Sequence, residues 1–347
     1  MAKESYNAVV LVNLITTLLE NKMVEGILAY TEGLDKADLV PFFITQPEEA
    51  ERISTTSYYP YSLSRMLRDY GERGKKIGLV VRSCDARGII ELVKRNQFDR
   101  EDLFLIGIEC YGTVKSSRIG IQEGEIRISE QGVKTGGKKV DIGDENLSPN
   151  CLRCEYPVPF MADLSLKIEG NAAKVFALSE KGEKLAALAG ISFEKGMPKV
   201  PKREKALERQ REGFEKLKRM SPEQRLDFWF KQFDKCIKCY GCKEACPICY
   251  CKDCYLGSNR LMIKGGEIPP DKMFHLIRLF HIADSCVNCG QCEAACPAEI
   301  PISLLYHALY EDLSSLFKYE SGINVDEPPP LGMITEEELS KGGVDLA

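Results

Sequence analysis

CIKCYGCKEACP at residues 236–247 and CVNCGQCEAACP at residues 286–297 write one cysteine spacing twice. Each run reads Cys-x2-Cys-x2-Cys-x3-Cys-Pro, and together the two use eight of the chain's fifteen cysteines. In this spacing three close thiolates hold one 4Fe–4S cube and the fourth reaches across to the other. Cys236, Cys239, Cys242 and Cys296 are thereby assigned to one cube, and Cys286, Cys289, Cys292 and Cys246 to its partner. Crossed ligation needs the two segments to lie antiparallel, so the pattern specifies a pseudo-symmetric fold as well as a cofactor. A lone Cys-x2-Cys would point first to zinc. The doubled run points to iron–sulfur centres and to electron transfer.

The flanks of the two runs give the module its class. Between them, residues 273–283 (MFHLIRLFHIA) carry a helical apolar pattern, and residues 302–316 carry another after the second run. The reading is an α-helical two-cluster ferredoxin-like domain over 233–320, with an extended tail or docking strap at 321–347, where three prolines follow one another. Residues 202–218 alternate both charge signs at helical spacing, which marks a solvated connector helix. Phe228, Trp229 and Phe230 are placed to pack beneath the cysteine module.

The first half reads differently. Apolar runs at 26–30, 77–81 and 103–108 have the length of buried strands, and Asp85 is placed to cap a helix carrying Ile89, Ile90, Leu92 and Val93. Strand, helix and strand at this spacing imply a βαβ unit, hence an α/β domain with a mixed or parallel sheet over 1–172. Glycines at 124, 136 and 137 mark small hairpins. Residues 173–232 are read as a short α/β element followed by the connector.

Four cysteines belong to this half. Cys84 and Cys110 each follow an expected strand, at the end where α/β folds assemble their sites, and Cys151 and Cys154 supply a two-ligand grip. Meeting at one sheet edge, the four would hold a third 4Fe–4S cube; buried free thiols beside a small zinc site are the alternative. Arg82, Asp85 and Arg87 beside Cys84 suit cluster tuning, a dinucleotide phosphate contact or a surface ion pair.

The segments RSCDAR (82–87), GIECYGT (107–113), CLRC (151–154) with Met161-Ala162-Asp163, and CIKCYGCKEACPICYCKDCYL (236–256) resemble the beta subunits of coenzyme F-420-dependent formate dehydrogenases and hydrogenases. The resemblance implies that Cys84, Cys110, Cys151 and Cys154 ligate a cluster beside FAD, and that three 4Fe–4S clusters link a flavin to a catalytic partner subunit. The family's Gly-Gly step before its first helix is here Ala8-Val9, and its second glycine-bearing segment reads Gly170-Asn171. Two functional classes follow: an iron–sulfur electron-transfer subunit without flavin, or an FAD subunit that itself exchanges hydride with F-420. A formate dehydrogenase or hydrogenase partner is expected, with a heterodisulfide-reductase-like complex as a further one.

Three cysteines remain, Cys249, Cys251 and Cys254. They are read as an additional metal site completed by His275 or His281, as a source of a substitute for Cys246 in Cys249, or as thiols packed under the cubes. A net charge of −5 gives no reason to expect nucleic acid. The apolar run at 8–19 lacks a basic flank and is too short to span a bilayer, so it reads as a buried helix and the protein as cytoplasmic, from an anaerobe.

Overall fold

A computed structural model describes residues 6–32, 39–54, 61–110, 112–113, 126–129, 132–135, 138–140, 147–169, 172–197, 204–252, 254, 256 and 271–331. The apolar N-terminal run forms α1 (Tyr6–Glu20), with Leu11, Leu14, Ile15 and Leu18 buried at the spacing of one helix face. β1 (Gly26–Glu32), β2 (Leu39–Ile44), α2 (Leu63–Tyr70), β3 (Ile77–Val81), α3 (Ser83–Lys94) and β4 (Leu103–Ile108) follow. β5 (Ile126–Ser129), β6 (Gly132–Thr135) and β7 (Lys138–Val140) form a separate antiparallel sheet, in the region where hairpins are expected. α4 (Pro149–Leu152), β8 (Leu164–Glu169), β9 (Ala172–Ala177), α5 (Glu180–Leu188) and β10 (Glu194–Lys195) complete the first half.

Seven strands make one mixed sheet in the order β10-β9-β8-β4-β3-β1-β2. Its centre is parallel, β1 to β3, β3 to β4 and β4 to β8, while β2 and β9 join antiparallel. Alternate residues of each strand face opposite sides. Ile27 and Ala29 enter the core shared with α1 and α5, whereas Leu28 and Tyr30 enter the one shared with α2 and α3. The division expected at residue 172 therefore falls within one sheet. β8 pairs along its whole length with β9, and α5 packs on α1, so the α/β unit runs to Lys195.

Asp85 caps α3 as expected, with its carboxylate accepting from the Arg82 backbone N–H at 3.4 Å in a capping box, and it does more besides. Asp85 is in the first turn and not before it; its carboxylate accepts from the backbone N–H of Leu63, from Ser62 Oγ at 2.8 Å and from Arg82 Nε at 2.8 Å. The Arg82–Asp85 pair is wholly buried, so it is no surface ion pair.

The second half is helical throughout its described residues: α6 (Glu204–Lys218), α7 (Pro222–Phe233), α8 (Gly241–Glu244), α9 (Asp271–Ile282), α10 (Gln291–Ala294) and α11 (Ile302–Phe317). α6 is solvated on most of its surface, but Ala206, Gln210 and Leu217 are buried, and Gln210 Nε2 donates to the Arg153 carbonyl at 2.7 Å. Ser221 and Gln224 start α7 with a reciprocal capping box. Trp229 then stacks on Phe233 in a core that also contains Cys242, Cys246 and Cys292. No helix among the described residues is long and apolar enough to cross a membrane.

Residues 321–331 run back over the α/β unit as a strap. Gly322 N donates to Glu91 Oε1 at 2.6 Å, Ile323 and Val325 pack against the α2–α3 core, and Leu331 N donates to Asp284 Oδ2 at 2.9 Å.

Asp163 ties the sheet together from within. It is 1 % exposed, accepts from Leu105 N and Ser179 Oγ, and pairs with Arg100 at 3.0 Å. Asp163→Ala leaves three donors without their acceptor and is expected to cost about 3 kcal/mol, read as a lowered denaturation midpoint.

Candidate metal centres

Neither cysteine run surrounds a cavity by itself. α8 and α10 pack against each other, and this brings the end of each run beside the start of the other. One cavity is lined by Cys236, Cys239, Cys242 and Cys296. A second is lined by Cys246, Cys286, Cys289 and Cys292. These are the two sets that the spacing assigns by crossed ligation.

The backbone repeats as the spacing does. Lys238 and Tyr240 in the first run, and Asn288 and Gly290 in the second, adopt left-handed φ values of 57°, 58°, 51° and 72° at corresponding positions. Left-handed backbone costs a non-glycine residue about 1–2 kcal/mol. Such turns gather successive N–H groups into concavities that hold anions, iron–sulfur centres among them. Two cavities with four sulfurs each, beside backbone of this kind, fit a 4Fe–4S cube in donor set and local charge.

The four N-terminal cysteines converge at the C-terminal edge of the parallel strands. Cys84 opens α3 after β3, Cys110 follows β4, Cys151 lies in α4 and Cys154 just beyond it. Cys84 has Cys110 and Cys154 in its electrostatic surroundings, and Cys154 has Cys151 and Cys110. Cys151 Sγ is approached by Thr113 N at 3.4 Å and Asn150 Nδ2 at 3.6 Å, donors that suit a thiolate.

Without metal, burial disfavours the thiolate form of several of these cysteines. Burial pushes Cys154 and Cys286 up to about 11 and raises Cys84, Cys242, Cys289 and Cys292 as well. Coordination deprotonates a thiol outright, so loading must release protons and weakens as pH falls.

The three sets lie in a row. Asn150 Nδ2 donates to the Asn288 carbonyl at 3.2 Å, and Asn288 Nδ2 returns a bond to the Asn150 carbonyl at 3.3 Å. This reciprocal pair joins the loop of Cys151 to the loop of Cys289. Cys289 also has Cys84 in its electrostatic surroundings. The second cavity is thus the middle one. At the far end Cys239 is exposed beside Ile237, which is 67 % exposed.

Cys246, not Cys249, lines the middle cavity. The hydrogen bond between the two thiols holds Cys246 low and Cys249 high. Cys251 is exposed, and Cys254 lies near Lys243. Among the described residues no three His, Cys, Asp or Glu side chains close on a single metal ion, whereas a cube spreads its thiolates over four irons. Residues 253, 255 and 257–270 beside the three spare cysteines lie outside the described residues. His275 is buried in a stack with Phe233 and lines the first cavity, and His281 is exposed. Neither is brought to Cys249. Ala8-Val9 falls within α1, with Val9 half exposed, and Gly170-Asn171 lies outside the described residues.

Sequence reasoning missed Asn150, Asn288, Arg278 and Tyr306. The adjacency of Asn150 to Cys151 was the one signal available for the first. Arg278 was hidden inside a helix read for its apolar face.

Two family models match the chain: coenzyme F420 hydrogenase/dehydrogenase beta subunit, N-terminal, over residues 7–68, and a 4Fe–4S dicluster domain over residues 232–300. The F420-dependent formate dehydrogenase subunit beta of Methanocaldococcus jannaschii is 31% identical over 346 residues, covering 90% of this chain and 91% of its own length. The F420-dependent formate dehydrogenase 1 subunit beta of Methanococcus maripaludis is 30% identical over 353 residues, covering 91% and 90%. A solved structure of the xenon-derivatized F420-reducing [NiFe] hydrogenase complex from Methanosarcina barkeri aligns with a TM-score of 0.44 at 16% identity, over 65% of this chain and 86% of that one.

The joint between the modules can be tested at Gly290. A Cβ there would meet Asn150 Oδ1 at 2.0 Å on a left-handed backbone, whereas one at left-handed Gly190 meets nothing within 4 Å. Gly190→Ala should cost about 1–2 kcal/mol from backbone alone. Gly290→Ala should cost more and should release iron, measured by denaturation midpoints and metal content.

Proposed function

The chain belongs to the coenzyme F420 hydrogenase/dehydrogenase beta-subunit family, and from that membership we propose that it is the three-centre iron–sulfur relay of a formate dehydrogenase- or hydrogenase-type complex. It is an electron-transfer subunit, and the observation that carries the reading is the pair of four-cysteine cavities, each drawing on both cysteine runs. Bound 4Fe–4S cubes would supply one-electron chemistry at Cys84/Cys110/Cys151/Cys154, at Cys246/Cys286/Cys289/Cys292 and at Cys236/Cys239/Cys242/Cys296.

The protein's own residues do the rest. The α-helical ferredoxin-like module holds eight ligands on short helices and tight turns, which limits movement of the sulfurs when charge changes. Thr113 and Asn150 orient Cys151. The Asn150–Asn288 pair fixes the distance from the N-terminal set to the middle one, and the α8–α10 contact fixes the next. Buried aromatic side chains, Phe274 and Tyr306 among them, exclude water from the two cavities. The exposed Cys239–Ile237 edge is the outlet at which a partner docks.

The flavin expected of the family has less behind it here. Where the family carries its Gly-Gly step, this chain runs through a helix whose residues bear Cβ atoms. The relay set out above uses no flavin.

Anaerobically purified protein should contain about twelve irons per chain, three cubes of four, with matching sulfide. Cys239→Ser should lower iron by about four and remove one signal from the low-temperature EPR spectrum while sparing the others. Loss of every iron–sulfur signal from folded Cys239→Ser protein would overturn the division into independent centres.

A further inference from the structure

Four arginines are buried among the described residues: Arg82, Arg87, Arg153 and Arg278. Two of them have an acid to answer their charge. Arg82 pairs with Asp85 at 2.8 Å, and Arg153 is linked to Glu293 through Ser303, whose hydroxyl accepts from Arg153 Nη2 at 3.0 Å and donates to the Glu293 carboxylate at 2.6 Å. Arg87 and Arg278, 3 % and 1 % exposed, form no ion pair with a carboxylate among the described residues. A guanidinium stays protonated in proteins, and burying one without a counter-ion is strongly unfavourable. Their direct partners are carbonyls, Ser321 and tyrosines, and the charges beyond these are cysteines of the candidate sets.

Arg278, on α9, donates from Nη2 to the Cys242 carbonyl and from Nη1 to Tyr306 Oη, both at 2.9 Å. It lines the middle cavity with Cys246 and Cys292, so it stands between the middle and outer sets. Its Nε is buried with no hydrogen-bond partner among the described residues. Arg87, one turn of α3 beyond Cys84, donates to the Val287 carbonyl at 3.4 Å and to Ser321 O at 3.0 Å. Its guanidinium lies 4.4 Å over the ring of Tyr156, whose own carbonyl accepts from Cys154 Sγ. Arg87 therefore stands between the N-terminal and middle sets. One unanswered cation fills each gap of the row, and the middle set faces both.

We propose that Arg87 and Arg278 are the fixed counter-ions of the relay, positioning residues that hold the middle centre, Cys246/Cys286/Cys289/Cys292, at the highest potential of the three. The proposal rests on the three-centre reading above. Four thiolates outweigh the positive charge of a cube's core, so a loaded centre is anionic, and each reduction adds one negative charge with no bond made or broken. A permanent cation nearby favours that added charge. The electron arriving at the middle centre leaves one neighbour oxidised and later reduces the other.

The test is an EPR-monitored redox titration of the full chain, purified anaerobically, with iron counted in every sample and the middle signal assigned by its loss in Cys289→Ser. In the unaltered protein the middle centre should be reduced first; if another centre is reduced first, the ordering is wrong. Arg278→Met should shift the middle and outer centres to lower potential, and Arg87→Met the N-terminal and middle ones. Each shift should be at least tenfold in the one-electron equilibrium, which is about 59 mV. Arg278→Lys and Arg87→Lys, which keep the charge, should restore most of it. Unmoved potentials in iron-replete Met variants, or equal shifts in the Lys variants, overturn the proposal. Where a Met variant loses iron, retention by its Lys counterpart supports the counter-ion role, and equal loss from both overturns it. Absence of three distinct signals in the unaltered protein would instead count against the three-centre reading.

Discussion

Neither cysteine run can complete a centre without the other, and the rest of the second half is arranged around that constraint. Cys296 closes the cavity begun by Cys236, and Cys246 closes the one begun by Cys286. The contact between α8 and α10 must therefore form before either set has four ligands. α7, α9 and α11 hold this contact from outside through an aromatic and aliphatic core that includes Trp229, Phe233 and Tyr306. The left-handed Lys238, Tyr240 and Asn288 carry backbone strain, and turns of this kind hold anions.

The two modules meet through polar groups buried with their partners. Glu91 is fully buried on α3 and accepts from Lys94, Arg95, Tyr319 Oη and Gly322 N. Ser321 links Arg87 to the Cys286 carbonyl. Such a satisfied network gives geometry more than it gives stability, because each group must be desolvated before it is paired. Geometry is what a relay needs, since the spacing between centres is set by which loops touch.

Repetition and period made much of this legible. The doubled spacing groups the same cysteines that line the two cavities, and the runs at 26–30, 77–81 and 103–108 fall within β1, β3 and β4. The apolar patterns at 273–283 and 302–316 fall on α9 and α11. What stayed hidden depends on partners distant in sequence. The step at 172 looked like a boundary because composition changes there, yet β9 completes a hairpin with β8. Asp85 is the helix cap that its place near a helix start suggests, but that its carboxylate also answers the Arg82 guanidinium and the Ser62–Leu63 turn was not legible. Arg278 stands within a stretch read only for its apolar residues and is buried beside the Cys246/Cys286/Cys289/Cys292 cavity.

The strap has a consequence for biogenesis. All fifteen cysteines precede residue 321, so every ligand has left the ribosome before the segment that clasps α3 to the second module. The cysteine-lined cavities are translated before the segment that clasps the two modules together. The clasp is thus made after every thiol that it helps to enclose, and it joins residues more than two hundred positions apart only once both modules have been translated.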